Sequence, residues 1–187
     1  MTLINTTMDL FAHNYPVSDG ISERLQIAWR RIEFARNYTM TLLADIADDE
    51  WFWTPDRVTT HVGWQVGHLA MSQYGLTLFR QRGRADVDSE LMSGKFRKLF
   101  MRGTEPRQEP DAYPSPAEIL QVFARVHLQM RNEIAGFDGP GLDEPVDAPH
   151  AAFAMRYGAL LFAGDHEMLH AGQIGLLRRL MGKSPVR

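Results

Sequence analysis

Apolar residues recur at threes, fours and sevens through most of this chain, the spacing that lays side chains along one face of an α-helix. Over about residues 19–47 the repeat runs through Ile21, Leu25, Ala28, Ile32, Ala35, Leu42 and Ile46 and predicts a long amphipathic helix. Pro55 and its polar neighbours break the pattern. Thr59 or Thr60 can cap a second helix reaching about Gln81, with His68 near its middle. Residues 82–114 are punctuated by glycine and proline and read as a long, partly ordered crossover with one short helix around 89–100. A third long helix announces itself through Ser115 as cap, Pro116 at the first helical position and Glu118 completing a capping box; it should stop at Gly136. On it Leu120, Phe123, His127, Met130 and Ile134 share one face. Residues 136–150 are a loop by composition, and the last helix spans about 151–181, closed by Gly182 and Pro185.

Four long helices with no strand-like alternation and no internal repeat predict an all-α four-helix bundle. A length of 187 residues fits one domain over 1–187, with 1–18 an N-terminal extension, and is enough to bury a sizeable core without disulfides. Zero cysteines exclude disulfides, thiolate metal sites and a cysteine nucleophile, so any metal is held by nitrogen and oxygen. A net charge of -3 gives no global pull toward nucleic acid or an anionic membrane. No stretch approaches the ~20 apolar residues of a membrane span, and the first residues lack a secretory pattern, which together predict a cytoplasmic protein.

The chemistry concentrates in His-Glu-Met-Leu-His at 166–170. Histidines four apart on a helix can grip one metal ion, and HExxH is the zinc-peptidase signature in which they do so. Peptidases of that type take their third ligand from further along the chain, but residues 171–187 contain no Asp, Glu, His or Cys. A third ligand must therefore come from upstream. The plainer alternative for His166 and His170 is a pair of core histidines held by hydrogen bonds. Glu167, turned about 100° from His166, faces either the site, where it could act as a general base, or solvent. Gln173, one turn past His170, offers an amide to orient a ligand or bound water.

The upstream histidines are His13, His61, His68, His127 and His150. His68 leads, since it sits mid-helix beside Gly67, where helices can approach closely and a lone imidazole is an awkward core guest. His61 lies near the helix start and suits an exposed or capping residue, while His127 fits a buried or supporting role. Imidazole binds metal only when neutral, so ordinary histidines would release an ion as pH falls through about 6.5.

Eight of the 20 Lys and Arg residues fall within 80–107, interleaved with acids. The run reads as a solvated face, or as a lure for an anionic substrate at the bundle mouth. Trp51, Phe52, Trp53 and Trp64 read as core or dimer-interface aromatics.

The segments WQVGHLA at 64–70 and GDHEMLHAGQIGLLRRLMGKSP at 164–185, with the helix order and the Pro-capped third helix, resemble the DinB/YfiT-like superfamily of bacterial metal-binding four-helix proteins. The likeness runs from about Ser22 onward. It implies an up-down-down-up bundle with the long crossover between helices 2 and 3, and a metal site of His68, His166 and His170 with positions open to water or substrate. It further implies one divalent ion, zinc or nickel ahead of iron or manganese, in a homodimer that takes a small-molecule substrate and no nucleic acid or membrane. Some branches transfer low-molecular-weight thiols. The activity implied is a metal-dependent enzyme activating a thiol or water, with such a thiol as co-substrate. The alternatives are a non-catalytic metal-binding, stress-associated or structural protein, and a hydrolase using Glu167.

Overall fold

The computed structural model describes residues 20–56 and 58–186. The extension over 1–18, His13 within it, lies outside the described residues. The described chain is mostly helical. Helix α1, Glu23–Leu43, starts where the Ser22 side chain accepts from the Leu25 N–H. It ends short of the expected residue 47, because Asp48–Glu50 tighten into a 3-10 turn whose Glu50 carboxylate accepts from the Ala47 N–H. Helix α2, Val62–Tyr74, is capped by the His61 imidazole rather than by Thr59 or Thr60. It continues through a π-helical turn, Gly75–Phe79, into Arg80–Arg82.

The crossover holds two short helices where one was expected: α3, Asp88–Leu91, and α4, Gly94–Phe100, the latter capped by Ser93. Helix α5, Pro116–Glu133, carries the expected capping box, with the Ser115 hydroxyl accepting from the Glu118 N–H and the Glu118 carboxylate from the Ser115 N–H. A 3-10 turn, Ile134–Phe137, extends it to the expected stop.

A further expectation is corrected. The stretch read as a loop contains a strand, β1 (Pro145–His150), paired antiparallel with β2 (Phe153–Met155). Two of the six residues of β1 are proline, which cannot donate to a ladder, and this hid the strand from pattern reading. Helix α6 consequently begins only at Arg156 and runs to Leu180.

Helix α1 packs along α6, while α2 packs on both α5 and α6. Leu25, Ile32, Leu69, Phe123, Met130 and Ile174 from all four long helices are buried in one shared apolar cluster. Phe100 at the end of α4 joins them, pressed against Gly67, where a Cβ would stand 2.4 Å from its ring. The crossover is thus fixed to the middle of α2, one residue from His68. No helix among the described residues is long and apolar enough to cross a membrane.

Candidate metal centre

His68 projects from the middle of α2 toward α6, where His166 and His170 stand one turn apart. One ring nitrogen from each lies within 4.8 Å of the other two. Nitrogens bonded at about 2.1 Å to one ion lie at most about 4 Å apart, so a small turn of the rings closes the set around a divalent cation. The donor chemistry fits such an ion, since all three ligands are borderline-soft imidazoles.

Two of the rings are held in the tautomer that ligation needs. A carbonyl oxygen can only accept, so the 2.7 Å contact between His68 Nδ1 and the Phe100 carbonyl puts the proton on Nδ1. The Nε2 lone pair stays available, and the Ser72 hydroxyl lies 3.1 Å from it. His170 Nδ1 donates to Gln65 Oε1. Gln65 in turn donates through Nε2 to Thr60 Oγ1 at 2.8 Å and Gln173 Oε1 at 2.9 Å. Gln173 therefore orients a histidine through Gln65, one step further from the centre than its sequence position suggested. Trp64 stacks on His68 with ring centres 4.8 Å apart and planes 7° from parallel, and its indole N–H donates to Thr104. Trp51 and Phe52 are core residues, as expected of them.

Burial keeps these imidazoles neutral. It pushes His166 down to about 4, helped by His68 and His150, and His170 to about 3, helped by His166 and His68. His68 is lowered for the same primary reason. At neutral pH all three rings present lone pairs.

Glu167 faces away from its neighbouring histidine into the core. Its two oxygens accept from Arg36 Nε at 2.8 Å and Nη2 at 3.2 Å, and both residues are buried. Arg36 lies over the Phe123 ring at 3.3 Å and also donates to the Phe123 carbonyl and to Gln73 Oε1. Gln73 donates to His127 Nδ1 at 2.9 Å, and His127 Nε2 lies 3.1 Å from Glu33 Oε1. Burial, then the Arg36 charge, holds His127 well below the ordinary imidazole range. His127 thus belongs to a polar chain joining α1, α2, α5 and α6 behind the histidine cluster.

The other histidines stand apart from the cluster. His61 Nδ1 accepts from the Trp64 N–H as the cap of α2, and burial lowers its pKa to about 4. His150 in β1 stacks on Phe153 and sits beside Phe162. His68 and His166 open, with His150, onto a cleft of about 480 Å³. Nothing in the sequence marks Gln65 or the Phe100 carbonyl, and Trp64, expected as a core or dimer-interface aromatic, stacks on His68.

A profile of the DinB superfamily matches residues 31–174, a span that takes in all three clustered histidines. The chain belongs to the DinB superfamily. A search of curated proteins finds no match.

Proposed function

We propose that His68, His166 and His170 hold one divalent metal ion, zinc or nickel ahead of iron or manganese, and that the protein is a metal-dependent transferase of low-molecular-weight thiols. The observation carrying this reading is the convergence of three neutral ring nitrogens within 4.8 Å, beside a cleft. When bound, such an ion supplies Lewis acidity that lowers the pKa of a coordinated thiol or water. The chain's own part is orientation: the Phe100 carbonyl and Gln65 fix two imidazoles, Trp64 covers one face of His68, and burial keeps the ligands unprotonated. Neutral ligands leave the ion's charge uncompensated, the condition that favours a thiolate.

Glu167 we assign to the Arg36 pair and not to proton transfer, because both its oxygens already accept hydrogen bonds in the core. A thiol route needs no carboxylate base, whereas a hydrolase of the HExxH kind does. The same proposal places the chain in the cytoplasm as a single up-down-down-up domain and a homodimer. Exposed Phe34 on α1 and Leu169 and Leu176 on α6 offer apolar surface that a second copy would cover.

The deciding experiment screens electrophile conjugation with several low-molecular-weight thiols beside peptide and amide hydrolysis, on wild type and Glu167→Gln. Metal-dependent conjugation in both proteins is expected. Hydrolysis abolished by Glu167→Gln, with no conjugation, would restore the peptidase-like reading; bound metal with neither activity would leave a structural ion.

A further inference from the structure

The basic residues of 80–107 do not act together. Arg82 is engaged by Asp88 and Glu133. Lys95 lines a hollow that also contains Asp111 and Glu118, and Arg97 one that contains Asp86 and Asp88. Arg80 and Arg102 differ, because both line the cleft onto which His68 and His166 open, and no Asp or Glu among the described residues shares that lining. Arg80 follows the π-helical turn of α2, half-buried, with its Nη1 donating to the Gly75 carbonyl and its guanidinium 5.4 Å from the Phe153 ring. Neither contact neutralises its charge. Arg102 follows α4 and is exposed. The wall beside them is apolar, formed by Leu76, Met101, Phe153 and Phe162.

We infer that this cleft binds a small organic oxyanion, its charged head between Arg80 and Arg102 and its apolar body against Phe153 and Phe162. A guanidinium offers forked N–H donors that match a carboxylate or phosphate, and no acid among the described lining residues competes for them. A cleft of about 480 Å³ suits a small molecule and not a polymer. The inference deepens the proposed function by giving the electrophilic substrate an anionic group, and it rests on that reading only in calling the occupant a substrate.

The test is calorimetric titration of the full chain, metal-loaded and chelated, with 3-phenylpropionate, 2-phenylethyl phosphate and the neutral 3-phenylpropionamide. The anions should bind at least roughly tenfold more tightly than the amide, and more weakly as salt rises. Which of the two binds better assigns the head group to carboxylate or phosphate. Arg80→Gln and Arg102→Gln should each weaken anion binding by about tenfold and leave amide binding alone. Arg84→Gln, outside the cleft, should change nothing, and Arg80→Lys should retain part of the affinity, which separates charge from folding. Equal binding of amide and anion, or anion binding unchanged in both glutamine variants, overturns the inference. Anion binding lost only on chelation does so too, because it puts the oxyanion on the ion. Binding that persists in chelated protein without any thiol transfer would instead overturn the transferase and keep the oxyanion site.

Discussion

Arg36 holds Glu167 through two hydrogen bonds, at 2.8 and 3.2 Å, in a core where both side chains are buried. The acid of the HExxH register is therefore an anchor between α1 and α6. Glu167→Gln removes the negative partner of a buried cation, which destabilises by on the order of 3 kcal/mol. For a chain of this size that lowers the melting temperature by roughly 6–12 °C. Metal content should stay at wild-type level. Unchanged thermal and urea midpoints would mean that Arg36 does not need the carboxylate.

Each of His68→Ala, His166→Ala and His170→Ala should abolish stoichiometric metal binding, measured by elemental analysis of the purified proteins. His61→Ala should retain the metal, while losing both the cap of α2 and a buried ring packed against Phe52 and Tyr113, at about 2–4 kcal/mol. Metal kept in His68→Ala and lost in His61→Ala would transfer the third ligand.

The depressed imidazoles set the pH response. His61 and His166 sit near 4 and His170 near 3 in the folded chain, against 6.5 when exposed. Between pH 6.5 and those values the unfolded chain takes up protons that the folded one refuses. Stability of the metal-free protein is therefore fully present above about pH 6.5 and declines as pH falls toward 4. Neutral ligands also persist to lower pH than ordinary histidines, so metal affinity should hold through 6.5 and fall nearer 4. Urea midpoints of chelated protein and a chelator competition, both run from pH 8 to 4, check the two statements. An affinity loss centred on 6.5 would mean the rings are solvated.

Gly67 is where the crossover touches the site. A methyl group there would meet the Phe100 ring at 2.4 Å, and the Phe100 carbonyl is what holds His68 Nδ1. Gly67→Ala should cost about 1–3 kcal/mol through overpacking and weaken metal binding as well. Gly75→Ala, whose Cβ would lie 3.6 Å from the Arg80 side chain, should leave metal binding unchanged. Thermal melts with metal titrations separate the two; equal behaviour would detach Phe100 from the site.

Periodicity made the helices legible, and the Ser115–Pro116–Glu118 cap located α5 to the residue. The convergence of His68 with His166 and His170 was partly readable, from the four-residue spacing of one pair and the mid-helix place of His68 beside Gly67. The hairpin of β1 and β2 was not, since its prolines suppress the alternation that marks a strand. Which way Glu167 faces was also hidden. A rotation of about 100° leaves both sides of α6 open, and the choice was made by Arg36, some 131 positions earlier, a buried cation requiring a partner. Gln65 escaped notice because holding the far nitrogen of His170 leaves no spacing signature.

The pairing of α1 with α6 joins segments far apart in the sequence, so α1 finds its main partner only when α6 has been made. Until then Arg36 has no carboxylate and the apolar face of α1 has little to cover it. Contacts of such sequence separation slow folding, because the loop between them must close before they contribute. A chain that stops before Arg156 should therefore fail to fold.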